Sequence, residues 1–232
     1  MNSAYFDRGH LPRFPEIAKG NQALADAFFG YYGQVFADGA LSVREKACVA
    51  LAVAHTVQCP YCIDAYTQGS LEAGADVEQM TEAVHVSGEV RSHSVMDYGL
   101  MMLAQATAVD MRGASATMSS AYFSREHATQ AHALVEQAPE LGRAFEAWSE
   151  RCFAEGALST REKHLIALAC AHAIQCPYAI ERHTRALHGL GSPLSELTEA
   201  VHVANAIRGG AALVHGVQML DQTAASSQGA EP

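Results

Sequence analysis

The sequence has a single tryptophan, seven prolines and charged residues at only 17% of its 232 positions. No cluster of Lys and Arg occurs in it, and the formal net charge is −10 with His neutral. Phosphate backbones are bound by clustered cations, so this balance argues against a nucleic-acid partner. Long apolar runs are missing as well. The longest, Ala47–His55 and Leu165–Ile174, are too short to span a bilayer and read as buried helix, so no membrane association is expected. The N-terminus, Met1-Asn-Ser-Ala-Tyr-Phe-Asp-Arg8, is polar and lacks the apolar stretch of a secretory leader. No alternating strand of useful length occurs, which makes the chain all-α. The six cysteines (Cys48, Cys59, Cys62, Cys152, Cys170 and Cys176) are too thinly spread for a secreted disulfide framework. A reducing cytoplasm is the expected location, and there a CxxC motif is more often catalytic or metal-binding than structural.

What the sequence does contain is one unit written twice. Phe36-Ala-Asp-Gly-Ala-Leu-Ser-Val-Arg-Glu-Lys46 returns as Phe153-Ala-Glu-Gly-Ala-Leu-Ser-Thr-Arg-Glu-Lys163. Gln58-Cys-Pro-Tyr61 returns as Gln175-Cys-Pro-Tyr178, and Thr81-Glu-Ala-Val-His-Val86 as Thr198-Glu-Ala-Val-His-Val203. Tyr5-Phe6 also returns, as Tyr122-Phe123, and the offset is 117 in every case (Phe36 to Phe153). The expected organisation is a repeat over 1–113 with an intact CxxC, a second over 122–223 with a degenerate CxxA, and a disordered tail over 224–232. The small-residue stretch Gly113–Ala121 is the seam between them.

Each unit reads as helices. Asn21 caps a helix with the stripe Leu24, Phe28, Tyr32 and Val35. Ser42-Val-Arg-Glu45 is a capping box repeated at Ser159-Thr-Arg-Glu162, and long apolar helices follow to about Val57 and Ile174. Pro60 suits the first position of a new helix that Gly74 ends. A further helix begins at Asp76 and runs through Val90, and a last one covers about Ser92–Thr107.

Chemistry concentrates at Cys59-Pro60-Tyr61-Cys62. With Pro60 opening the helix, Cys59 falls at or beside the N-cap. Free N–H groups and the positive helix end there favour thiolate over thiol. Cys62 lies one turn on, within reach of a disulfide, so the pair suits thiol redox chemistry. The same pair could be half a zinc site; no second CxxC exists, but His55 and His85 could supply the two further ligands that zinc needs. Cys48, Cys152 and Cys170 are most simply small core residues. Cys176-Pro-Tyr-Ala179 lacks the second sulfur and cannot close a disulfide, which marks the second copy as a structural half. His55, Glu45, Tyr66 and His85 are candidates for a proton relay at the dithiol. His55, Glu45 and His85 persist in the second copy as His172, Glu162 and His202, so the fold explains them equally well, and Glu45 is also the capping-box residue.

These residues resemble the AhpD-like, or carboxymuconolactone decarboxylase, superfamily, with a polar-capped Arg-Glu-Lys helix, an Ala-x-Ala-His apolar run and a CxxC helix. Phe36-Ala-Asp-Gly-Ala-Leu41, Ala52-Val-Ala-His55, Gln58–Tyr66 and Met80–Val86 are most similar to the arsenosugar biosynthesis-associated peroxidase-like group, here as a tandem duplication. The resemblance implies an all-helical oligomer, with this two-unit chain as a homotrimer of pseudo-hexameric layout. It implies reduction of small-molecule peroxides or disulfides at Cys59 and Cys62, with electrons from a dithiol donor protein and no cofactor or metal. The family's relay histidine four residues after the second Cys falls on Tyr66, its glutamate on Ala47, and the His within its CxxC on Tyr61. The second copy carries a histidine at the Tyr66 position, His183. By resemblance Cys62 meets the peroxide, whereas helix-cap reasoning puts the lower pKa on Cys59. Two other functions fit the sequence: a cofactor-free lyase of the decarboxylase type using His and Glu, and a protein whose cysteines capture arsenic or a metal.

Overall fold

The computed structural model describes residues 6–110 and 132–228. Two short 3-10 turns, Arg8–His10 and Phe14–Lys19, lead into α1 (Gln22–Phe36), α2 (Val43–Thr56), α3 (Pro60–Glu72) and α4 (Val77–Asp110). The second half follows with α5 (His132–Gln137), α6 (Pro139–Phe153), α7 (Thr160–Ile174), α8 (Pro177–Gly189) and α9 (Leu194–Gln228). The starts of α6, α7, α8 and α9 each lie 117 residues after those of α1, α2, α3 and α4 (Gln22 to Pro139, for example), and no strand occurs among the described residues. The seam at 113–121, with Tyr5 and Tyr122-Phe123, lies outside the described residues.

The expected caps form. Asn21 accepts from the Leu24 N–H. Ser42 and Glu45 make a reciprocal capping box, as do Ser159 and Glu162. Gln58 and Gln175 take left-handed backbone, at φ 56° and 58°. A side chain in that region costs about 1 kcal/mol, and the sharp turn it allows lets Cys59 and Cys176 start the next helix. Gly74, at φ 84°, closes the loop after α3.

Two expectations are corrected. The helices expected to end at Val90 and restart at Ser92 are one continuous element, α4. The polar residues on its inner face find partners along and across the helix, although Glu89 Oε2 is buried without one among the described residues. Ser87 bonds Thr56, Glu89 bonds His93 and Ser149, Ser94 bonds the Val90 carbonyl, and Asp97 bonds Arg182. The tail expected to be disordered from Ala224 is helical through Gln228, as the end of α9, and 229–232 lie outside the described residues.

The core is built from α2 and α7, both buried along nearly their whole length, with α4 and α9 packed across them. The halves are braced reciprocally. Glu199 on α9 accepts from the Ala40 and Leu41 N–H groups and pairs with Lys46, while Glu82 on α4 does the same for Ala157, Leu158 and Lys163. Arg44 pairs with Glu162, and Arg161 with Glu45. The long helix of each repeat therefore serves the other repeat.

Candidate functional site

Cys59 is the N-cap of α3. Its sulfur accepts from the Cys62 backbone N–H at 3.3 Å. Its thiol is pulled down to about 6, first by a hydrogen bond from the Cys62 thiol, with further help from the Cys62 N–H and from His215, and against the cost of burial. The Cys62 thiol is driven strongly upward, because it donates to the Cys59 sulfur and sits in an apolar setting. The pair thus holds one negative charge, on Cys59, with the remaining proton on Cys62.

His215 is the residue that sequence reasoning missed. It lies on α9, in the second repeat, and its ring packs edge-on to Tyr61 with centroids 5.1 Å apart. Nothing local to the CxxC motif points to it. The 117-residue offset holds the one available signal, since its counterpart is Tyr98 and the two copies differ there.

Beside Cys62 lies a cavity of about 90 Å³, lined by Phe14, Tyr32, Tyr61, Cys62, Tyr66 and Val214, among others. The N-terminal turns roof it. His10 shares a hydrogen bond with the Tyr61 hydroxyl at 2.9 Å, and its other nitrogen lies 3.2 Å from Asp221. Arg13 reaches Asp221 with two hydrogen bonds, of 2.7 and 3.1 Å. Tyr32 and Tyr66 share a hydrogen bond of 2.5 Å, and burial holds both phenols neutral, above their usual range.

The other candidates fall elsewhere. Glu45 sits at the far end of α2 from Cys59, roughly 15 Å along the axis, held by Ser42 and Arg161. His55 bonds the Leu51 carbonyl of its own helix at 2.9 Å, as His172 does with Leu168. His85 is exposed, and its backbone carbonyl accepts from Cys152. Only Tyr66 lines the cavity with Cys62. Burial pushes the Cys48 and Cys152 thiols up to about 11 and that of Cys170 up to about 12, as expected of core thiols.

The corresponding place in the second repeat is built from different residues. Ala65, Tyr66, Gly210 and Val214 around the cavity are matched by Arg182, His183, His93 and Asp97. Asp97 is buried and accepts twice from Arg182, at 2.8 and 3.0 Å, and the Cys176 thiol points at Asp97, 3.9 Å away. His183 and His164 meet at 3.1 Å, and burial, with His164, Arg182 and His93 nearby, drives His183 down to about 2. Glu89, 1% exposed, holds His93 and Ser149. Among the described residues no group of three or more His, Cys, Asp or Glu side chains is placed to hold a metal ion, and no helix is long and apolar enough to cross a membrane.

Comparison with known proteins agrees with this architecture. The carboxymuconolactone decarboxylase family model matches the chain twice, over 22–92 and 139–222. A Paracoccus denitrificans protein described as uncharacterized protein 4 in the cox locus is 38% identical over 95 residues, which is 41% of this chain and 86% of that one. A crystal structure from Burkholderia xenovorans LB400, assigned as a candidate gamma-carboxymuconolactone decarboxylase subunit, superposes with a TM-score of 0.71 over 95% of this chain and 96% of its own, at 18% identity. That likeness is one of fold. The chain belongs to the carboxymuconolactone decarboxylase family and carries its all-α unit twice.

Proposed function

We propose that the chain is a thiol-dependent oxidoreductase that reduces a small peroxide or disulfide through Cys59 and Cys62. The observation that carries this reading is the Cys59 sulfur at a helix start, bonded by the Cys62 N–H and favoured as thiolate by Cys62 and His215, with Cys62 lining an apolar cavity. Cys59 attacks one peroxide oxygen and the O–O bond breaks. Cys59 becomes a sulfenic acid, and the departing alkoxide or hydroxide takes a proton. Cys62 then attacks the sulfenic sulfur, forming the disulfide and releasing water, and a dithiol donor protein restores both thiols. The six cysteines are all unpaired, which suits a reducing cytoplasm. We assign the working form as a homotrimer, because exposed apolar residues recur at matched places in both repeats: Leu24 and Leu141, Val77 and Leu194, Met102 and Met219.

The test is dithiothreitol-driven turnover of a hydroperoxide. Replacing Cys59 or Cys62 with Ser abolishes it, and an unchanged rate in either variant sinks the reading. A second reading, cofactor-free lyase chemistry, is favoured by the partly buried His164–His183 and Glu89–His93 pairs around the CxxA position of the second repeat. It requires an activity that survives complete alkylation of Cys59 and Cys62.

A further inference from the structure

The tyrosine pair opposite the dithiol has no counterpart in the second repeat, where Ser149 and His183 stand at the positions of Tyr32 and Tyr66. Ser149 there donates to Glu89, and His183 pairs with His164. The Tyr32 and Tyr66 hydroxyls are 2.5 Å apart, and both residues line the cavity that holds Cys62. We propose that Tyr32 is the acid that protonates the oxygen leaving the peroxide, and that Tyr66 is the positioning residue that supports it. The assignment rests on the oxidoreductase reading above and deepens it.

Three observations carry it. First, the cavity needs an acid: breaking the O–O bond by thiolate attack releases an alkoxide or hydroxide, and an apolar wall cannot neutralise it. Second, among the described residues the other polar side chains at the cavity are engaged, the Tyr61 hydroxyl by His10. His215 faces Cys59, His10 is engaged by Tyr61 and Asp221, and Cys62 is needed as a thiol to resolve the sulfenic acid. Third, the two hydroxyls share one hydrogen bond in which either oxygen can donate. We take Tyr66 as the donor in the reactive arrangement, which leaves the Tyr32 proton free to point at the substrate. The phenolate that Tyr32 forms then keeps the bond from Tyr66, which stabilises it. The balance closes simply. The alkoxide takes the Tyr32 proton to become the alcohol, and the Tyr32 phenolate recovers a proton from solvent before the next turnover.

An acid is needed only when the leaving atom is basic. The test therefore compares tert-butyl hydroperoxide, which releases a basic alkoxide, with 5,5′-dithiobis(2-nitrobenzoate), which releases a stable thiolate needing no proton. In pre-steady-state oxidation of the reduced protein, Tyr32→Phe lowers the hydroperoxide rate at least tenfold, toward the roughly 100-fold of lost general-acid catalysis. The aromatic disulfide rate falls less than threefold. Tyr66→Phe shows the same pattern with a smaller loss, and its Cys59 thiolate, followed at 240 nm, still titrates near pH 6. Equal losses with both reagents mean that the tyrosines only shape the cavity, and that overturns the assignment. So does a Tyr32→Phe protein that reduces the hydroperoxide at the wild-type rate. A wild-type protein that reacts with the disulfide but leaves the hydroperoxide untouched overturns the peroxide reading itself, and this assignment with it.

Discussion

The two repeats share their helices, caps and turns position by position, yet they surround the same helix start with opposite environments. In the first, Cys59 faces Cys62 and His215, which favour its thiolate, and Cys62 in turn lines an apolar cavity. In the second, Cys176 faces a buried carboxylate, Asp97, locked to Arg182. The missing sulfur at Ala179 is thus only part of the difference, because the facing residues differ as well. A CxxC at a helix N-terminus therefore sets up a reactive thiol only in combination with what the facing helix brings to it. That helix belongs to the other repeat: α9 serves Cys59 and α4 serves Cys176.

The largest effect that would break this comparison is the loss of one cysteine. Cys59→Ser takes hydroperoxide turnover to the background rate, whereas Cys176→Ser leaves it unchanged in the same assay. Next is stability. Asp97→Val removes one member of a buried, hydrogen-bonded ion pair and leaves Arg182 uncompensated, at a cost of about 3 kcal/mol in urea unfolding. The double variant Asp97→Val with Arg182→Ala installs the first site's residues at those two positions and recovers most of that loss. Adding Ala179→Cys to the double variant yields a second thiol pair that forms a disulfide with diamide. A smaller effect comes from His215→Gln, which moves the Cys59 titration upward from about 6. Alkylation by iodoacetamide at pH 6.5 then slows several-fold and recovers at pH 9. The smallest comparison concerns the braces. Glu82→Gln and Glu199→Gln each cost about 1 kcal/mol of stability, and by similar amounts, because the two make the same bonds in opposite halves.

Much of this was legible in the sequence, for local reasons. Capping boxes at Ser42 and Ser159, the Pro at the start of α3 and the glycine after it are decided by neighbours within a turn, and the duplication checks each of them. The Cys59 N-cap follows from the same local signals. What sequence reasoning missed depends on contacts across the chain. The length of α4 was hidden because Glu89, Ser94 and Asp97 look like a helix end until their partners on other helices are known. His215 was hidden because it reaches Cys59 from the other repeat. Conversely, His55 and Glu45 stand near the dithiol in sequence but turn to their own helix and to Arg161. The differences between the copies were the unused signal. Ala65 against Arg182, Tyr66 against His183, Val214 against Asp97 and Tyr98 against His215 all gather around the two CxxC positions.

The most direct test of the central claim is a thiolate titration at 240 nm, with each cysteine's alkylation mapped by mass spectrometry across the same pH range. The account predicts one equivalent of thiolate appearing with a midpoint near pH 6, assigned to Cys59, with Cys176 unmodified at that pH. Contradiction would be a reduced protein with no thiol titrating below pH 8, or one in which Cys176 and Cys59 react in parallel.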